Sequence, residues 1–110
     1  MESKYRTAQI FVRERLAGTL SETDEGYRFV YASDYLADPS APLVSLTLPK
    51  REEAYTSKTL FAFFDGLIPE GWLLDLVTQN WKLDPKDRFG LLLVACRDAI
   101  GAVSVREAEK

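Results

Sequence analysis

The sequence contains no histidine, a single cysteine and no apolar run near the length of a bilayer span. Without histidine the chain lacks the usual general base near neutral pH and the commonest metal ligand. Cys96, alone in the apolar stretch that follows Leu91, can form no internal disulfide and no zinc site, so it is expected to be a buried thiol in a reducing compartment. A surplus of positive charge is also missing. Fourteen Lys and Arg against seventeen Asp and Glu give a net charge of -3, which argues against a phosphate-binding face for nucleic acid. The basic pair Lys50-Arg51 is followed at once by Glu52-Glu53 and is expected to form a solvated, charge-compensated loop.

The motif inventory is equally thin. No G-x-S-x-G elbow, no P-loop and no G-x-G-x-x-G occurs. Asp87-Arg88-Phe89-Gly90 superficially matches the kinase D-F-G motif, but Arg88 breaks its spacing and no H-R-D loop exists without histidine. Asp65 and Asp98 are the one carboxylate pair to weigh for acid-base chemistry, and capping or turn formation explains both better. These absences point away from an enzyme and from any cofactor. The N-terminus leads into no apolar h-region, so secretion and membrane insertion are not expected; Met1 reads as a native start and Arg106 to Lys110 as a native end.

What is present is the balance of a folded globule: 46% apolar and 28% charged residues over a length suited to one domain. Ala8, Ile10 and Val12 alternate with polar neighbours from Thr7 to Arg13, the period of a half-buried strand. Leu16 to Ser21 is the expected hairpin partner, with a turn in the Arg15 to Gly18 region, and Asp24-Glu25-Gly26 is a stronger turn signal. Tyr27, Phe29 and Tyr31 make a third alternating strand. Asp38-Pro39-Ser40-Ala41-Pro42 is a loop because each proline lacks an amide donor. A short strand is expected over Val44 to Leu48, ending at Pro49.

The period then becomes helical. Leu60, Phe61, Phe63, Phe64, Leu67 and Ile68 predict a short apolar helix capped by Thr56 or Ser57. Pro69 suits the first turn of a second helix with Leu73, Leu76, Val77 and Trp81 inward. Asp84-Pro85-Lys86-Asp87 opens a third, with Phe89, Leu92, Leu93 and Cys96 on one face, and Ala102 to Val105 returns as a strand. The order predicts an α+β domain, a small mostly antiparallel sheet packed against about three helices.

One segment concentrates aromatics around two glycines, a proline and two acids: Phe63-Phe64-Asp65-Gly66-Leu67-Ile68-Pro69-Glu70-Gly71-Trp72. The helical stripe puts Phe63 and Phe64 in the core. Trp72, just after Gly71 at a helix start, is either core or an outward binding anchor. With Leu43-Val44-Ser45-Leu46-Thr47-Leu48-Pro49, Arg97-Asp98-Ala99-Ile100-Gly101-Ala102-Val103 and the Gly18-Thr19-Leu20 hairpin, this segment resembles the N-terminal subdomain of the HipA-type serine/threonine kinases, in the family's order along nearly the whole chain. The F-F-D-x-L-x-P-E-G block is the specific part. The departures are length, since such kinases continue into ATP-binding and catalytic parts, and Cys96 where a glycine is usual.

Within that family, a three-component arrangement separates this subdomain as a small antitoxin, HipS, beside a shorter toxin kinase and the DNA-binding protein HipB. The resemblance therefore implies a cytoplasmic, HipS-like protein whose partner is a HipA-type (HipT-like) kinase. It implies contact with a HipB-like protein only through the complex, with no nucleic acid or membrane bound directly. Partner contacts are then expected from Asp65, Pro69, Glu70, Gly71 and Trp72. Other readings are a scaffold fragment of a longer kinase, a small carboxylate enzyme using Asp65 and Asp98, and a DNA-binding autoregulator; the acidic balance disfavours the last.

Overall fold

The computed structural model describes residues 5–68, 87–95 and 103–107. Among the described residues five strands form one antiparallel sheet in the order β4-β3-β2-β1-β5: β1 Thr7–Val12, β2 Arg15–Thr23, β3 Gly26–Tyr31, β4 Tyr55–Ser57 and β5 Val103–Glu107. Three helices among the described residues accompany it, α1 Ser33–Ala37, α2 Ala62–Asp65 and α3 Arg88–Ala95. The α+β expectation holds.

The sheet buries one face, and the alternation of the sequence specifies which. Ala8, Ile10 and Val12 are buried in β1, as are Phe29 and Tyr31 in β3. Register lines these residues up, since Ala8 lies opposite Leu20 and Leu20 opposite Phe29, while Ile10 lies opposite Val105. A one-residue slip would turn each row to solvent. Phe64 of α2 and Phe89, Leu91 and Leu92 of α3 complete this core. Phe64 is its hub, with ring centroids 5.6 Å from Phe29, 5.2 Å from Phe63 and 6.2 Å from Phe61.

Turns account for most differences from expectation. β1 and β2 are joined by Arg13 and Glu14, with φ of 51° and 68°, so the chain reverses before Arg15 and β2 begins where a turn was expected. Two consecutive left-handed residues between Val12 and Arg15 match the twist of a hairpin, although neither is the Asn or Gly usually found there. The Asp24-Glu25-Gly26 turn is as expected. Gly26 has φ 143°, and a side chain there would collide with the Ser57 carbonyl.

Val44 to Leu48 is a tight turn rather than a strand. Among the described residues its one ladder contact is the isolated bridge Ser45 to Leu48, and the Tyr31 hydroxyl reaches between the ends of the segment. That hydroxyl accepts from the Val44 amide at 3.0 Å and donates to the Leu48 carbonyl. Thr56 and Ser57 do not cap a helix; they lie in β4, paired with Arg28 and Tyr27. α2 is consequently shorter than its apolar pattern, starting at Ala62 after Phe61 and giving way to turns at Gly66. Lys50 and Arg51 are compensated by backbone carbonyls rather than by Glu52 and Glu53: Lys50 donates to Asp38 and Ala41, and Arg51 to Glu53 and Ala54 while stacking on Tyr55. No helix among the described residues is long and apolar enough to cross a membrane.

Candidate functional site

The Phe63–Trp72 segment enters the described structure at α2 and leaves it after Ile68; the chain returns at Asp87, at the head of α3. Departure and return lie side by side. Asp65, in the last turn of α2, accepts from Arg88 Nε at 2.7 Å. Asp65 thus has a structural partner, and about half of its side chain remains open to solvent. Pro69, Glu70, Gly71 and Trp72 lie outside the described residues, as do Asp84, Pro85, Cys96 and Asp98.

The head of α3 is fastened a second time. Asp87 caps the helix by accepting from the Gly90 amide at 3.1 Å, the bond expected of an acid at this position. The same carboxylate takes both terminal nitrogens of Arg6, at 2.7 and 2.9 Å. Arg6 turns its remaining edge to Glu22, with Nε at 2.8 Å and Nη2 at 3.0 Å, while its backbone amide donates to the same carboxylate at 2.8 Å. One planar fork therefore ties the start of β1 to the end of β2 and to α3, a geometry that the point charge of lysine does not reproduce. The Arg6 guanidinium also lies over the Phe89 ring at 5.1 Å.

Electrostatics follow from this geometry. Hydrogen bonding to Arg6 holds the Asp87 and Glu22 carboxyls below their usual range against the opposing effect of burial. The Arg6 guanidinium is raised in turn, chiefly by Asp87 and then by Glu22. Both carboxylates are therefore charged at neutral pH and occupied as acceptors, which makes them poor proton acceptors. Among the described residues no group of three His, Cys, Asp or Glu is placed to hold a metal ion.

The Asp87-Arg88-Phe89-Gly90 tetrad thus has a structural meaning. Asp87 caps and pairs, Arg88 binds Asp65, Phe89 fills the core beside Tyr27, and Gly90 makes room. A Cβ on Gly90 would sit 2.4 Å from Asp87 Oδ2 and 3.1 Å from Arg6 Nη1. Sequence reasoning passed over Arg6 and Glu22 because their partners are distant along the chain and no local spacing marks them. Beside this fastening, Tyr27, Lys58, Leu60, Asp65 and Arg88 line a shallow, mixed polar and apolar cleft open to solvent.

The family model for the HipA N-terminal domain matches residues 8–106. A solved structure described as the N-terminal domain of HipA toxin aligns with a TM-score of 0.74 at 29% identity, covering 100% of this chain and 99% of its own. An uncharacterized protein of Haemophilus influenzae is 32% identical over 110 residues, the full length of both chains. The putative kinase Y4mE of Sinorhizobium fredii is 28% identical over 101 residues, which are 91% of this chain but 24% of that protein. The matched span begins within β1 and ends within β5, so the sheet, α2 and the fastened head of α3 all lie inside it, and the chain belongs to the HipA N-terminal domain family.

Proposed function

We propose that this protein is an antitoxin that binds a HipA-type serine/threonine kinase in trans and neutralises it, without catalysis of its own. The observation that carries the reading is the double occurrence of the domain among relatives. It accounts for the full length of the Haemophilus influenzae protein and for only 24% of the Sinorhizobium fredii putative kinase. A domain that serves as part of a kinase keeps, when separate, a surface complementary to the kinase body. Association then costs translational and rotational entropy that a covalent link avoids, so affinity must come from a few buried anchors.

On this reading Asp65, Pro69, Glu70, Gly71 and Trp72 form the inhibitory contact, with Trp72 as main anchor. Pro69 limits the freedom lost on docking, Gly71 allows close backbone approach, and Glu70 faces basic groups of the kinase. The protein works in the cytoplasm and reaches a HipB-like DNA-binding protein through the kinase complex; its net charge of -3 agrees with no direct contact to DNA.

Co-expression with the HipA-type kinase of the same genome tests the proposal. Growth arrest should be relieved by this chain, and arrest unaffected by it would refute the antitoxin role. Trp72→Ala should weaken binding at least roughly thirtyfold with an unchanged melting temperature. A collapse of the fold would instead make Trp72 a core residue. The second reading, a scaffold fragment of a longer kinase, is favoured by the partial coverage of the putative kinase. An open reading frame running on into a kinase body would decide for it.

A further inference from the structure

Most lysines and arginines among the described residues are engaged. Arg6, Arg15 and Arg88 pair with acids, Lys50 and Arg51 donate to backbone carbonyls, and Arg106 lies over the Phe11 ring. Arg13, Arg28 and Lys58 have no partner among the described residues. Arg13 stands by itself at the β1–β2 turn, whereas Arg28 and Lys58 line one hollow of about 520 Å³, open to solvent, at the other end of β2. The strand register builds this hollow. Arg28 of β3 stands opposite Thr56 of β4, and Lys58 follows two residues after Thr56, so alternation puts all three side chains on the solvent face, where all three are exposed. Thr23, opposite Gly26, lines the hollow from β2. Gly26 brings no side chain into the space between, and its backbone packs against Ser57 and Lys58, which sets the β2–β3 turn beside the end of β4. Glu25 also lines the hollow but forms an ion pair with neither cation. On a chain with a net charge of -3, the hollow thus gathers two free cations and two threonine hydroxyls.

We propose that this hollow receives an acidic side chain, Asp or Glu, from a segment of the kinase partner, with Arg28 and Lys58 as the residues that bind it. This rests on the trans-binding reading above. Charge and hydrogen-bonding capacity select a carboxylate, which a guanidinium takes through two parallel bonds while the ammonium and the hydroxyls donate to what remains of it. A nucleic-acid backbone needs a longer row of cations than this pair. Position selects the kinase. Tyr27 and Lys58 line both this hollow and the neighbouring cleft that reaches Asp65 and Arg88, so a partner seated at Asp65 has Arg28 and Lys58 beside its footprint. Charges at such a rim steer encounter and fix register, and their effect falls as salt rises.

Titration calorimetry with the HipA-type kinase of the same genome, at low and at high salt, tests this. The chains compared are the wild type, the double variant Arg28→Gln/Lys58→Gln, the charge-keeping swap Arg28→Lys/Lys58→Arg, and Arg13→Gln as a control for charge away from the hollow. At low salt the double variant should bind about five- to thirtyfold more weakly, the range for losing two exposed pairs, with its melting temperature unchanged. High salt should shrink that difference. The swap and Arg13→Gln should bind nearly as the wild type does. Equal affinity of the double variant and the wild type at low salt overturns the site while leaving the trans-binding reading intact. An equal loss per charge in Arg13→Gln also overturns it, since the effect would then belong to overall charge. Absence of wild-type binding refutes the trans-binding reading and the site with it. A wild-type dimer in light scattering that the double variant dissociates would give the hollow to a second copy and overturn its assignment to the kinase.

Discussion

Arg6→Ala is the most informative perturbation of the fold, because one side chain joins β1, β2 and α3. The substitution removes four charge-assisted hydrogen bonds to Glu22 and Asp87 and the stacking on Phe89, and it leaves two carboxylates facing one another without a cation. Side-chain exposures of 34% for Arg6, 20% for Glu22 and 34% for Asp87 place the network between a surface pair and a buried one. Surface pairs contribute about 0.2 to 1 kcal/mol and hydrogen bonds to charged groups about 1.5 to 3, so after solvent screening a loss of about 2 to 3 kcal/mol is expected. For a domain of this size that lowers the melting temperature by roughly 8 to 12 °C. Arg6→Lys should recover less than half of the loss, since an ammonium cannot make the fork.

Thermal unfolding at several pH values checks the cause. Glu22 and Asp87 have depressed folded-state pKa values, so their contribution is complete above the ordinary carboxylate range and disappears as pH falls through the folded values. The gap between wild type and Arg6→Ala should accordingly narrow below pH of about 4. A double-mutant cycle with Asp87→Asn, which keeps the cap, isolates the pair. A melting temperature within about 2 °C of wild type, or a cycle with no coupling, would refute the reasoning.

Gly90→Ala would ordinarily stabilise a helix by about 1 kcal/mol, but the added methyl would meet Asp87 Oδ2 at 2.4 Å, so destabilisation by about 1 to 3 kcal/mol is expected in denaturant unfolding. Tyr31→Phe strips the Val44 amide and the Leu48 carbonyl of their shared partner, which should cost about 1 to 3 kcal/mol and speed amide exchange at Val44.

The sequence by itself determined the parts of this protein that follow from local rules. Ala8, Ile10 and Val12 in β1, and Phe29 and Tyr31 in β3, were legible because burial of one sheet face imposes a period of two. The turn at Gly26 was legible because Asp24-Glu25-Gly26 joins an acid to a glycine, residues that favour turns; that a side chain at Gly26 would meet the Ser57 carbonyl came only from the packing. The burial of Phe64 and the family resemblance carried by F-F-D-x-L-x-P-E-G were also available from residue type and spacing, whereas Asp87, expected as an acid in the first turn of a helix opening at Asp84, is itself the residue that caps α3.

Tertiary structure decided the rest. The left-handed pair Arg13-Glu14 carries no Gly or Asn signal; the pairing of β1 with β2 imposes its conformation. Val44 to Leu48 has the apolar spacing of a strand, and the distant Tyr31 hydroxyl makes it a turn, leaving Leu46 in solvent. β4 has only three residues, too few for a period, and exists because β3 offers an edge to pair with. Arg6, Glu22 and Asp87 lie far apart in the chain, and their convergence needed the strand order and the placement of α3. Local periodicity records which face of an element is buried; which distant group meets it is set only when the elements pack.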